Sequence, residues 1–153
     1  MPNTDPSDLI MDNLKAAILT IATSGSYNFN IGEVKRGLKN LNEVPEDKFP
    51  AAFIAGADET RDNTTNKGFT SAMKITIMGY VHYEDADDVE ELQRRLSKFK
   101  QDVTKAIYVD PTRGGNATYT EIDDIFTDKG TLTPYAVFEM IIKCEYRSTF
   151  AAG

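Results

Sequence analysis

The sequence predicts a single α+β domain: a mixed or antiparallel sheet of about five strands packed against two main α-helices. Three observations point there. Two stretches place apolar residues at helical spacing, and others alternate or run apolar at strand spacing. No internal repeat, low-complexity tract or composition break divides the 153 residues. A domain of that size buries roughly 68–70% of the surface its unfolded chain exposes, so a full core needs no metal or disulfide. The expected order is α-β-β-β-α-β-β over residues 1–153, with 1–4 and 149–153 as flexible ends.

Residues 5 to 24 read as the first helix. Asp5 can cap it, Pro6 suits the first helical position, and Asp8 favours the positive end of the helix dipole. Ile10, Leu14, Ala17 and Ile21 recur at helical spacing, with Leu9 and Ile18 widening the stripe. The run "TSGSYN" ends it. Residues 29 to 38 read as a strand, weakened by Gly32 and Gly37. The loop "LNEVPEDKFP" then leads into "AAFIAG", a short apolar strand. Residues 57 to 68, "ADETRDNTTNKG", are polar and aperiodic, which predicts a long exposed loop.

The clearest strand is "AMKITIMGYVHYE". Met73, Ile75, Ile77, Val81 and Tyr83 share one face, and Lys74, Thr76, Met78, Tyr80 and His82 share the other. The strongest helix follows, over residues 84 to 107. Six of the eight residues from Glu84 to Glu91 are acidic and the basic residues come later, as the dipole prefers. Val89, Leu92, Leu96, Phe99, Val103 and Ile107 form its expected buried stripe. Residues 117 to 127 read as a strand and "TDKGTLTP" as a turn. In the final strand, "YAVFEMIIKCEYR", Ala136, Phe138, Met140, Ile142, Cys144 and Tyr146 share a face.

Charge and composition narrow the function. The net charge of −7 opposes phosphate binding, and no zinc, RNP or basic-helix signature is present. No apolar run approaches the ~20 residues of a membrane span, and "MPNTDPSDLI" lacks the features of a signal peptide, so neither membrane nor secretion is expected. The N-x-T triplets at Asn63 and Asn116 are then without consequence. The single Cys144 cannot form an internal disulfide, which fits a reducing compartment.

Candidate chemistry is sparse. "VDPTRGG" has an acid, an arginine and two glycines, but it follows a helix and precedes a strand, the reverse of a phosphate-binding loop. Carbonyls and partial negative charge would face a phosphate there. The stretch reads as a turn, with Asp110-Pro111 stopping the helix and Gly114 and Gly115 supplying positive φ. His82 is the only histidine, and alternation puts it on a different face from Cys144, so a nucleophile–base pair is not expected. The cluster Asp85, Asp87, Asp88, Glu90 and Glu91 lacks the glycine turn of a calcium loop, as do Asp58, Asp62 and Asn63. No catalytic residue, cofactor or metal site is expected. Met78, Tyr80 and His82 form a face less polar than a solvated one, which suits either a neighbouring subunit or a packed helix.

Taken in order, "LKAAILTIA", "FPAAFIAG", "MKITIMGYVHY", "VEELQRRLSKFKQDVTKAI", "DPTRGGNAT" and "PYAVFEMIIKCEYR" resemble the tail terminator and minor tail (tail completion) proteins of tailed bacteriophages. The resemblance covers residues 9 to 147. It implies a small, non-enzymatic α+β subunit that forms a homohexameric ring on the tail tube. Such a ring ends tube polymerisation and presents the head–tail joining surface. The implied partners are other copies of the chain, the tail tube protein and the head–tail connector, with DNA only as cargo passing through an acidic lumen. The implied location is the tail or neck of the virion, after synthesis in the host cytoplasm. Expected subunit-interface residues are Met78, Tyr80 and His82 on the rigid strand, and Arg61, Asp62 and Lys67 on the polar loop. Another connector or completion subunit would fit the same pattern. The rival class is a small cytoplasmic enzyme or ligand-binding domain with a site built from scattered carboxylates.

Overall fold

A computed structural model describes residues 5–65, 68–85 and 87–149. Helices α1 (Pro6–Leu19) and α2 (Val89–Tyr108) pack on one face of a five-stranded sheet. Its strands are β1 (Glu33–Arg36), β2 (Ala51–Thr65), β3 (Gly68–His82), β4 (Tyr119–Thr127) and β5 (Tyr135–Thr149), in spatial order β1-β2-β3-β5-β4. β1 joins β2 in parallel and every other neighbour is antiparallel, so the sheet is mixed. The α+β class and element order agree with the periodicity.

α1 begins as expected, with Asp5 accepting from the Ser7 amide at 3.1 Å and Pro6 opening the first turn. It stops at Leu19, five residues before the expected end at 24. Thr20 caps it, its hydroxyl donating to Ala17 O at 2.6 Å, and Thr23–Gly25 form a separate 3-10 turn. Ile21 stays buried without belonging to the helix. β1 is likewise shorter than residues 29 to 38. A Cβ on Gly32 would stand 2.1 Å from Lys48 O, and Gly37 takes φ +102, so the two glycines bracket the strand.

α2 starts at Val89, capped by Asp88, which accepts from the Glu91 amide at 3.0 Å. Val89 is 38% exposed and leaves the expected stripe because it sits in the first turn, beyond the sheet's cover. Leu92, Leu96, Phe99, Val103 and Ile107 are buried against β3 and β5. Each such side chain contributes about 1.5–3 kcal/mol through removal from water. On the sheet side of this core, Ala136, Phe138, Met140, Ile142, Cys144 and Tyr146 are all buried, as the period of two requires.

Two expectations need correction. Residues 57 to 65 are not a loop: β2 runs to Thr65, paired residue by residue with β3, after a register shift between Ile54 and Gly56 where Gly56 adopts φ +140. Its polar, aperiodic sequence reflects exposure of both faces, the backbone ladder rather than side-chain burial holding it. Thr149, expected in a flexible end, pairs with Gly68 at the end of β5. Residues 1–4 and 150–153 lie outside the described residues.

Candidate interaction surface

β2, β3 and β5 are each 15 residues long, whereas β1 pairs only with Ala51–Ile54 of β2. Beyond that point β2 is an edge strand, exposed from Ala55 to Asn63. With the facing parts of β3 and β5 it forms an arm. Its helix-side face is closed by its own side chains. Ser71 Oγ and the Tyr146 hydroxyl both donate to Glu59 Oε2, at 3.0 and 3.1 Å. The Arg61 guanidinium lies 4.3 Å from the centroid of the Phe69 ring and 3.7 Å from Glu59. Burial pushes the Tyr146 phenol pKa up, so it stays a neutral donor. Charged residues along the edge, Asp58, Glu59, Arg61 and Asp62, oppose indiscriminate strand pairing.

The sheet face away from the helices is half covered, by the segment that crosses from β1 to β2. Leu41, Val44 and Phe49 pack there against Ala51, Phe53, Met78, Tyr80 and Val137. The Tyr80 hydroxyl donates to Lys39 O at 2.8 Å, and Tyr80 is only 4% exposed. Tyr80 is therefore not an open interface residue: this chain's own crossover supplies the cover that sequence reasoning assigned to a neighbour or a helix. His82 lies between Phe49 and Tyr135, with ring centroids 5.6 and 5.1 Å away. Met78 is half-buried in the same cluster. Arg61 and Asp62 are exposed at the other end of the hairpin. Asp62 pairs with Thr70, ten positions from Tyr80, or roughly 33 Å at strand rise. Five of the six expected interface residues thus form two separate groups, and the sixth, Lys67, lies outside the described residues.

The 106–119 stretch is a turn, built more tightly than its sequence suggests. Asp110 accepts from the Thr112 amide and hydroxyl at 3.0 and 2.6 Å and from the Gly114 amide at 2.8 Å. These bonds hold its carboxyl below its ordinary pKa. Gly114 and Gly115 take φ +69 and +87. Arg113, at φ +50, is fully buried and donates to the carbonyls of Ile107 and Asp110, closing the end of α2. Burial lowers its pKa, and Nε and Nη1 find no partner among the described residues. Sequence reasoning missed this residue, as it missed buried Asp102, which accepts from the amides of Asn28 and Phe29 at 2.9 and 3.0 Å. An acid one step from Val103 in an apolar stripe was the available signal.

Cys144 is buried on the helix side, where burial raises its pKa, and His82 is on the opposite side of the sheet. The two do not meet. Among the described residues no three His, Cys, Asp or Glu side chains converge as metal ligands. Among the described residues no helix is long and apolar enough to cross a membrane. The exposed acids Asp85, Asp87, Asp88 and Glu90 cluster before and within the first turn of α2. The exposed large apolar side chains include Phe126 and Ile125 on β4, Tyr108 and Val109 at the end of α2, and Leu19, Leu38, Val89 and Leu132 elsewhere. No protein-family model matches the chain, and no curated protein matches it.

Proposed function

We propose that the chain is a structural subunit of a bacteriophage tail, a ring-forming terminator that caps the tail tube, ends its growth and offers the head-side joining surface. The observation that carries this reading is the arm. A 15-residue strand, unpaired among the described residues on its outer side beyond Ile54, gives a subunit a rigid, polar flank suited to contact with a neighbour or with the tube. Ring closure requires heterologous contacts, in which one surface meets a different surface of the next copy. The arm and the helical layer supply two such unlike surfaces. The net charge of −7 is compatible with a lumen that DNA traverses without adhering.

The test is tube growth. Purified tail tube protein of the same phage is polymerised with and without the chain, and tube lengths are measured by electron microscopy. Shorter, capped tubes are expected with the wild type. A variant with Asp58, Arg61 and Asp62 changed to alanine should cap less well while melting at the wild-type temperature. Equal tube lengths in all samples contradict the reading.

A further inference from the structure

We propose that the outer edge of β4, from Asp123 to Thr127, receives an extended segment of another protein that carries lysine or arginine beside apolar side chains. The inference goes beyond the ring reading and holds whether or not copies of this chain assemble.

β4 is the outermost strand of the sheet, and its two halves differ. Along the first half α2 closes the edge, because the Ile122 amide donates to the Tyr108 hydroxyl at 2.9 Å. A register shift between Ile122 and Asp124 then leaves Asp123 outside the ladder with β5. From Asp123 to Thr127 every residue is exposed, so neither face of the strand is covered. The Asp128 amide donates to Val137 O at 3.0 Å, which fixes the alternation along the ladder. The backbone groups of Phe126 face β5, and the N–H and C=O groups of Ile125 and Thr127 face outward. Among the described residues no strand pairs with them.

The open stretch is held in place. Asp128 accepts from the Gly130 and Val137 amides at 2.6 Å and from the Gln93 side chain of α2 at 3.4 Å. The turn after β4 rests on the first turn of α2, where a Cβ on Gly130 would stand 3.2 Å from Val89 Cγ1. A strand added to a formed edge spends no free energy on ordering it.

The side chains specify the occupant. Ile125, paired with Met140, lies on the helix side of the edge, and Phe126, paired with Glu139, on the far side. They are 37% and 57% exposed, so an added strand gains apolar contact on both faces. Natural sheets guard open edges with charge, and here the charge is nearly of one sign. From Thr118 to Ala136 the acids are Glu121, Asp123, Asp124 and Asp128, and the one cation is Lys129. Exposed Asp87, Asp88 and Glu90 at the start of α2 border the same turn. A cationic segment is attracted there. A second copy is opposed: its open β2 edge carries three acids, Asp58, Glu59 and Asp62, against Arg61, and β4 against β4 sets acid on acid. Nucleic acid is opposed for the same reason.

The test is hydrogen exchange read residue by residue, with a synthetic peptide of alternating lysine and valine long enough to span Asp123–Thr127. Such a peptide can set valine beside Ile125 and lysine beside Asp124. In the free chain the Ile125 and Thr127 amides should exchange fast. The lysine peptide should slow both by about tenfold or more, and leave the β2 edge between Asp58 and Asp62 unchanged. A peptide with glutamate in place of lysine, and a lysine peptide interrupted by proline, should leave both amides fast. Asp123→Lys/Asp124→Lys, with melting temperature as the folding control, should lose protection by the lysine peptide and gain it from the glutamate one. If the lysine peptide protects neither amide, if it protects the β2 edge instead, or if both charge types act alike, the site is overturned. If the two amides are protected in concentrated chain without peptide and released on dilution, the occupant is a second copy and the proposal fails. The ring reading is decided separately, by the mass of the chain in solution.

Discussion

Arg113 concentrates the residue-scale physics of this protein. A fully buried guanidinium closes the end of α2, yet two of its nitrogens have no partner among the described residues. Its aliphatic stem and two bonds to carbonyls stabilise the turn, while the desolvated charge opposes it. Arg113→Ala should therefore lower unfolding free energy by about 2–3 kcal/mol in urea titrations. Arg113→Met keeps the stem without the charge and should cost less than the alanine. Equal losses would mean that the stem contributes nothing. Asp110 supplies a pH test. Its folded-state pKa is depressed, so its contribution is present above the ordinary carboxylate range and lost as pH falls through the lowered value. The stability gap between wild type and Asp110→Ala should be fully open at pH 7 and should narrow in acid as pH falls through that lowered value. Gly79 tests packing, because a Cβ there would stand 2.2 Å from the Phe138 ring. Gly79→Ala should cost about 1–3 kcal/mol. The turn was legible in Asp110, Pro111 and the two glycines, whose backbone preferences are local. The burial of Arg113 was not, because a long side chain has the same sequence signature whether it points in or out.

Among the elements, legibility followed burial. α2, β3 and β5 bury one face each, so their periods of 3.6 and 2 were written in apolar residues. The outer half of β2 buries neither face, leaving no pattern to read, and it passed for a loop until its ladder with β3 was seen. Hydrogen exchange should show this directly. Between Asp58 and Asp62, amides directed at β3 should exchange slowly, and alternate amides on the open edge quickly. Uniformly fast exchange there would contradict a formed arm. The far face of β3 was read correctly as too apolar for solvent. Its cover could not be assigned, because the crossover from β1 contains no periodic element, only two 3-10 turns at Leu41–Glu43 and Glu46–Lys48. Tyr80 consequently belongs to the fold rather than to an open interface.

At the scale of the molecule, the fold class and element order came through. Arg61 and Asp62 are on the surface, whereas Tyr80 is enclosed. Surface charge segregation depends on which side of each element faces outward, and that is set by packing. The subunit we propose acts through its flanks, chiefly the open-edged arm of β2. The most direct measurement is the mass in solution by multi-angle light scattering over a wide concentration range. A closed assembly of one size, six times the 17.0 kDa chain if the tail-terminator likeness holds in full, is the predicted result. A 17.0 kDa monomer at every concentration, or an open series of growing polymers, would contradict it.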